Sequence, residues 1–591
     1  DDAELCARAV RMILKHEEFF KPNYVKLADQ VLDLGRQRVA ALQSGQAVEH
    51  TQGRKALAYR SRIDDSLQPY SVGLPPGYAD AQGKRWPLHL VLHGRNGSLT
   101  EVSFIAGAEG KPTAKDQQWI QLEVYGRGNN AYRWAGETDV FEALAATVKR
   151  YRVDERRITL WGFSMGGAGA WHLAAHHPDR WSSAGAGAGF VDFYKYQKQT
   201  GQLPQYQHQD LHIYDAVDYA LNLANVPTIG YGGEIDPQLL AAQTMHARTQ
   251  ELGVPLQVLV GPNMGHKFDE ESFEKFMAFH AEHTRKGVPS IRGSQELKFE
   301  TYTLKYNRCS WLTILEQITS GARSVVTSRL DDQGVLQVTS ENVAALSIDR
   351  GVADRAQVNG SEIVDLNQVA DANLVEVYFA DLDEGWRALD YDESLDFIEN
   401  PGLRKRHDLQ GPIDDAFMDS FLIVTGTQRG WWSPEQARYA DWSQERFQAE
   451  FDKWLRGDAR VKADTAVTAE DIAQHHLILF GDPGYNSQLA AIVDKLPIEW
   501  TKSELNVGGQ TYDPASHTVA MIYPNPLNPK KYVVINSGMT MHTPDFKNSN
   551  AWLFPRLGDI AVIKFQRTPD GHDEEVLWAD HFNAAWGLER K

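Results

Sequence analysis

Apolar residues recur at three- and four-residue intervals through the first 45 positions, at Val10, Ile13 and Leu14 and again at Val25, Leu27, Val31 and Leu34. That period predicts helices, and Pro22 divides them into two. From about residue 55 the period falls to two, with strands expected at Ala56-Leu57-Ala58-Tyr59 and Tyr70-Ser71-Val72-Gly73-Leu74, closed by Pro75-Pro76-Gly77. Short apolar runs follow at 88–92, 119–124, 157–161, 183–189, 226–231 and 256–260. Helical patterns at 139–151, 165–177, 238–252 and 270–284 lie between several of them. Alternation of buried strands with helices predicts an α/β unit, a mostly parallel sheet covered on both faces, over 55–286, preceded by a helical segment over 1–54.

Past Gly287-Val288-Pro289-Ser290 the helical signal fades. Strand-like runs such as Phe299–Leu304 and Val335–Val338, separated by turn clusters at Asp331-Asp332-Gln333-Gly334 and Asn359-Gly360, predict a small β-sandwich over 291–400. A polar stretch with Pro401-Gly402 and Gly411-Pro412 leads into 413–591. There a helix near 434–456, a strand at 476–480, a helix at 487–495 and a strand at 532–535 predict a smaller α/β domain. No repeat of solenoid or propeller length is present.

The chain's 591 residues exceed what one core organises, which agrees with this division. No stretch approaches the roughly 18 uninterrupted apolar residues of a membrane span. A net charge of −19 excludes the basic surface that nucleic acid requires and reads as a solvated acidic face. The two cysteines, Cys6 and Cys309, form neither a disulfide framework nor a zinc site; a single pairing between them stays open beside two inert thiols. The opening Asp1-Asp2 without Met points to a removed leader, hence to a secreted or periplasmic protein.

The candidate chemistry starts at Gly162-Phe163-Ser164-Met165-Gly166. By itself a G-x-S-x-G run arises by chance in roughly one chain of this length in five. Here an apolar strand, Ile158-Thr159-Leu160-Trp161, enters it and a small-residue helix, Gly166-Gly167-Ala168-Gly169-Ala170, leaves it. This is the strand–turn–helix setting in which a serine takes a strained backbone as nucleophile and the flanking glycines avoid collision. Such a serine is followed in the chain by an acid and then a histidine, each on a loop after a later strand. Gly232-Gly233-Glu234-Ile235-Asp236-Pro237 offers Asp236, with Glu234 as runner-up, and Gly261-Pro262-Asn263-Met264-Gly265-His266 offers His266 as the base. The oxyanion calls for two backbone N–H groups, assigned to Met165 and to Arg95 in His93-Gly94-Arg95-Asn96-Gly97, with Gly94 as the alternative to Arg95. His172, His176 and His177 on the helix after the serine are read as packing or exposed, and His93 as a loop support.

These segments in this order resemble the α/β-hydrolase superfamily. More narrowly, they resemble bacterial esterases of the feruloyl, acetyl-xylan and polyhydroxybutyrate-depolymerase type, grouped with prolyl-oligopeptidase-like hydrolases. The resemblance is carried by His93-Gly94, Gly162 to Gly167, His177-Pro178-Asp179-Arg180-Trp181, Gly233 to Asp236 and Gly265-His266, within about 55–286. It implies a serine esterase acting on a small-molecule or polysaccharide-linked ester with no cofactor and no metal. Residues 291–591 are similar to C-terminal regions appended to such hydrolases, which implies no activity for them.

The residues expected to touch substrate are Arg127, Tyr132 and Trp134, in the loop after strand 119–124, and Phe190 and Phe193, in the insertion after strand 183–189. The insertion's aromatics, which include Tyr194, Tyr196, Tyr206 and Tyr214, either wall a sugar or phenolic ring or pack the insertion against the body. Two rivals stand beside the esterase. A peptidase of the prolyl-oligopeptidase type is disfavoured because only about 50 helical residues precede the fold, with no blade-length repeat. A silent binding scaffold is disfavoured by the intact Ser164, Asp236 and His266. Phe480-Gly481-Asp482-Pro483-Gly484 is read as a plain strand–helix turn, and Asp414-Asp415 and Asp381-Leu382-Asp383-Glu384 as solvated acidic loops. The oligomeric state is left open.

Overall fold

The structure, a computed structural model, describes residues 1–45, 50–368, 375–541 and 557–588. Two amphipathic helices open the chain, α1 (Asp2–Lys15) and α2 (Tyr24–Gln43). Gly35 of α2 faces the Cys6 side chain of α1, and the missing Cβ lets the two helices close on each other. Leu5, Cys6, Ala9, Ile13 and Val31 pack with Val102 and Ile105 of α3 (Glu101–Ala108), a helix the sequence pattern did not single out.

The central sheet holds eight strands: β1 (Gly53–Arg60), β2 (Leu67–Leu74), β3 (Trp86–Leu92), β4 (Ile120–Val124), β5 (Val153–Phe163), β6 (Ser183–Gly187), β7 (Thr228–Gly233) and β8 (Gln257–Gly261). Their order is β1-β2-β4-β3-β5-β6-β7-β8. The β1–β2 and β2–β4 pairs are antiparallel, and from β4 to β8 every pair is parallel. The reversal between β4 and β3 is the α/β-hydrolase-type arrangement, with all parallel strands ending on one edge. The helices α4 (Ala135–Arg150), α5 (Met165–His176), α8 (Leu239–Glu251) and α9 (Glu270–Lys286) cover the sheet; α6 (Phe193–Gln197) and α7 (Gln205–Tyr214) form the insertion between β6 and β7. α4 begins four residues earlier than the apolar period indicated, because its first turn is polar yet buried: Glu137, Thr138 and Asp139 all face inward.

Among the described residues, ten further strands between Leu297 and Ala388 make two five-stranded sheets. They share one core, to which Phe299, Val326 and Leu336 come from one sheet and Leu312, Leu346 and Phe379 from the other. After α10 (Tyr391–Glu399) a seven-stranded mixed sheet carries α11 (Pro434–Leu455). This third unit is not separately cored: Phe421, Phe447 and Phe451 belong to the same hydrophobic cluster as Leu90, Leu122 and Tyr132 of the central sheet domain. Thr138 Oγ1 donates to the Met418 carbonyl at 3.1 Å across the seam.

Of three further features, the acidic pair takes a different form from the one expected, while the cysteines and the Gly-rich turn keep the plainer reading. Asp414 and Asp415 are buried rather than solvated, because Lys305 Nζ lies 3.3 Å from Asp415 and the Tyr532 hydroxyl donates to it at 2.9 Å. Cys6 and Cys309 are both buried and both reduced. In the Gly481–Gly484 turn the Asp482 carboxylate accepts from its own loop, at Gly484 N–H (2.7 Å) and Tyr485 N–H (2.9 Å), as an Asx turn does.

Candidate active site

Ser164 sits between β5 and α5 with φ 61° and ψ −123°, a region that costs an L-residue strain and is held here by its neighbours. A side chain at Gly162 would collide with the Gly166 backbone, and one at Gly166 with the Leu92 carbonyl, so both glycines are sterically required. The Ser164 N–H donates to the Gly187 carbonyl at 2.8 Å, which ties the turn to β6. The Oγ therefore stands free of the backbone at the edge where the parallel strands end.

His266 follows β8, and its Nε2 lies 2.8 Å from Ser164 Oγ. Its Nδ1 lies 2.7 Å from Asp236 Oδ2, and the other carboxylate oxygen accepts the Gln238 N–H at 3.0 Å. The acid is buried while the imidazole side chain is 41% exposed and rests against the Phe163 ring, centroids 4.9 Å apart. Glu234, the alternative acid, instead accepts the Asn263 N–H at 2.7 Å and braces the loop that carries His266. The loops of acid and base touch because Gly233 presents no side chain to the Met264 and Gly265 carbonyls. Gln238 was not read as part of the site. Its signal was the Asp-Pro-x turn, in which a carboxylate caps the N–H two residues on.

The loop after β3 runs beside the serine: a Cβ on Gly94 would lie 3.4 Å from Ser164 Cβ. Met165 opens α5, where the first N–H groups of a helix have no intrahelical acceptor. His93 supports the loop, with Nδ1 2.9 Å from the Gly94 carbonyl and Nε2 3.1 Å from the Tyr125 carbonyl. Arg95, next along, is exposed at the mouth.

Three of the five residues expected to touch substrate are not in the cleft. Arg127 is fully buried: Nε lies 2.9 Å from Asp139, Nη1 and Nη2 pair with Asp64 at 2.9 and 3.0 Å, and Nη1 also donates to the Leu455 carbonyl at 3.2 Å. Burial alone would raise the Asp64 carboxyl, but the guanidinium overcomes it and holds the group at about 2. Tyr132 supports the loop after β3; its hydroxyl accepts the His93 N–H at 2.6 Å and donates to the His93 carbonyl at 3.2 Å. Trp134 caps the start of α4 and packs on Tyr214, centroids 5.2 Å apart. A glycine-rich loop at the sheet's reactive edge signals proximity, and it does not reveal that its side chains turn inward.

Phe190 does border a cavity, of about 390 Å³, between the insertion and the start of α8. It stacks on Tyr196 at 4.5 Å, and the Arg133 guanidinium lies 5.2 Å from its ring centroid. Phe193 packs edge-on against Tyr194 at 5.9 Å and gives its N–H to Asp215 at 2.9 Å, so it holds the insertion together. His172 and His176 lie in the C-terminal half of α5 and are buried, and His177 follows the end of the helix. Among the described residues no group of three or more His, Cys, Asp or Glu side chains is arranged to hold a metal ion, and no helix is long and apolar enough to cross a membrane.

Compared with known proteins, residues 125–287 match the prolyl oligopeptidase family. Among solved structures, a ferulic acid esterase aligns with 20% identity and a TM-score of 0.31, over 40% of this chain and 99% of that one. An S-formylglutathione hydrolase from Staphylococcus aureus aligns with 15% identity and a TM-score of 0.30, over 39% and 98%. A puromycin-hydrolyzing peptidase from Mycobacterium tuberculosis aligns with 17% identity and a TM-score of 0.31, over 39% of each chain. No curated protein matches the chain.

Proposed function

We propose, from a region that matches a serine hydrolase family of the α/β-hydrolase fold, that this chain hydrolyses carboxylic esters through Ser164, His266 and Asp236. The observation that carries the reading is the unbroken line from Ser164 Oγ through His266 to Asp236, 2.8 and 2.7 Å, on a strained serine at an open mouth. The imidazole stands between hydroxyl and carboxylate, where a general base must stand.

His266 Nε2 takes the Ser164 proton as Oγ attacks the ester carbonyl carbon. The resulting oxyanion is held by the N–H groups of Met165 and Arg95, fixed donors that need no rearrangement as charge develops. Collapse breaks the bond to the alkoxide, which leaves with the proton from His266. Water then attacks the acyl-enzyme, gives its proton to His266, and releases the acid as Ser164 is re-protonated. Asp236 keeps Nδ1 protonated and stabilises the imidazolium. The stacked Phe190–Tyr196 pair beside the 390 Å³ cavity favours a flat, apolar acyl group.

Ser164→Ala should abolish turnover of p-nitrophenyl acetate and labelling by a fluorophosphonate probe; retained labelling would overturn the assignment. The family matched by residues 125–287 supports a second reading, a peptidase. Turnover of methyl ferulate, acetylated xylan and a Pro-linked peptide amide separates the two, and faster cleavage of the amide would reverse the ranking.

A further inference from the structure

The insertion between β6 and β7 begins at the nucleophile. A Cβ on Gly189 would lie 3.0 Å from the Ser164 carbonyl, and Phe190 is the next residue. The Gly189 N–H donates to Gln238 Oε1 at 3.1 Å, and the Gln238 N–H in turn holds Asp236 at 3.0 Å. The stacked Phe190 and Tyr196 rings therefore stand on backbone that touches both the serine and the loop of the acid.

The contacts that hold these rings in place end outside the hydrolase domain. α6, which bears Tyr196, is tied to α7 by the Tyr194 hydroxyl, 3.2 Å from His208 Nδ1. The Phe193 N–H adds a bond of 2.9 Å to Asp215, just past α7. On α7 the C-terminal unit places His581: Nε2 lies 3.2 Å from Asp210 Oδ1 and 3.2 Å from the Tyr206 carbonyl, so one imidazole spans a full helical turn. Asp210 is two residues past His208, about 200° around the helix, so α6 and the C-terminal unit grip opposite faces of α7.

His581 is itself held firmly. Its Nδ1 lies 3.9 Å from Asp559, whose Oδ2 accepts Lys405 Nζ at 2.5 Å and the Phe582 N–H at 2.9 Å. The ring thus stands between a carboxylate of its own unit and one of the insertion. Asp210 is fully buried, and a buried carboxylate stripped of its partner is costly, so the turn that carries it should shift when the ring is removed. The second half of α7 has other anchors, with His212 stacked on Tyr302 at 4.7 Å and Tyr214 against Trp134 at 5.2 Å. His581 serves the first half, which carries His208 and through it α6.

We propose that His581 is a positioning residue for the cleft: through α7 it fixes the place of Phe190 and Tyr196, so that the C-terminal unit sets which acyl groups fit beside Ser164. This rests on the ester-hydrolase reading of Ser164. It gives the C-terminal unit a part in selectivity without placing any of its side chains against the substrate.

The test holds the leaving group constant and varies the acyl group. The ratio of kcat/KM for p-nitrophenyl cinnamate to that for p-nitrophenyl acetate should fall about fivefold in His581→Ala, chiefly through KM for the cinnamate. Asp210→Asn should move it in the same direction, and it reports if the histidine variant folds poorly. The ratio does not depend on how much protein is folded, and Arg127→Met, which weakens the fold elsewhere, should leave it unchanged. In a Phe190→Ala background the effect of His581→Ala should vanish, because the wall it positions is gone. An unchanged ratio, an equal fall in Arg127→Met, or a fall that persists without Phe190 would overturn the proposal. Should the wild type cleave neither ester, the reading of Ser164 fails on its own account, and amide hydrogen exchange decides the positioning role. Exchange across 193–210 that quickens in His581→Ala while α8 is unchanged supports it, and an unchanged or uniformly faster pattern overturns it.

Discussion

Two clusters near α5 join imidazole, carboxylate and hydroxyl at nearly the same distances, yet only one has the arrangement of a reacting group. At the mouth, His266 lies between Ser164 (2.8 Å) and Asp236 (2.7 Å). Behind α5, Glu137 takes the centre: His172 Nε2 approaches it at 2.7 Å, His177 Nε2 at 2.8 Å, and the Tyr306 hydroxyl donates to it at 2.8 Å. Burial works to raise the Glu137 carboxyl, and the His172 and His177 imidazoles overcome it, holding the group well below the usual carboxylate range. A central imidazole accepts a proton on one nitrogen while the other is held, so it can pass a proton on. A central carboxylate that already accepts from three donors has nothing to pass. The first cluster is half open to solvent, and the second pins Tyr306, from the β-sandwich region, against α4 and α5.

The comparison breaks if the two central groups, the His266 imidazole and the Glu137 carboxylate, respond alike to substitution. His266→Ala is expected to lower kcat/KM by about 10⁴-fold or more, with the melting temperature little changed, because the residue is exposed and its loss removes the base. Glu137→Gln should do the reverse. Breaking a buried pair costs about 3–5 kcal/mol, so the melting temperature falls while kcat per folded molecule stays within a few-fold of wild type. Thermal denaturation beside esterase kinetics, on both variants, reads the two effects separately.

Arg127 sharpens the same contrast. Arg127→Met would leave Asp64 and Asp139 buried without their partner, at a cost of about 3 kcal/mol or more. Stability should drop and KM for methyl ferulate should hold; a rise in KM at unchanged stability would return Arg127 to the substrate.

Ser164, Asp236 and His266 were legible because each is fixed by its neighbours in the chain. A strand, a strained turn and a helix specify the serine, and the two loops after later strands specify its partners. The roles of Arg127 and Tyr132 were not legible, since what decides them lies far off in sequence: Asp64 is 63 residues from Arg127, and the His93 backbone is 39 from Tyr132. An arginine in a glycine-rich loop looks the same whether it faces a ligand or a buried carboxylate. The alternation of strands with helices gave the central sheet its strands in sequence order. It could not give the core shared with the C-terminal sheet, because an apolar helix face such as that of Phe447 and Phe451 does not name what covers it. Asp414-Asp415 misled for the complementary reason: acidic pairs are usually solvated, and the Lys305 and Tyr532 that make burial tolerable lie more than 100 residues away.

A third histidine–carboxylate cluster shows what a buried imidazole does when it is left charged. His581 Nε2 lies 3.2 Å from Asp210 and Nδ1 3.9 Å from Asp559, which also holds Lys405 at 2.5 Å. Burial works against the charged ring, and the two carboxylates overcome it, raising the group to about 8. Because this lies above the unfolded value of about 6.5, the stabilisation is complete below pH 6.5 and is lost as pH rises through 8. Between pH 7 and pH 9 the loss amounts to about 1 kcal/mol, a decline of a few degrees in melting temperature. Asp210, which burial raises to about 7, changes stability in the same direction but mainly below that window, between about pH 4 and 7. His581→Asn should therefore start less stable at pH 7 and lose less by pH 9 than the wild type. An equal decline in both would place the titrating group elsewhere, whereas a flattened one would mark His581 as a structural cation, distinct in charge from His172 and in exposure from His266.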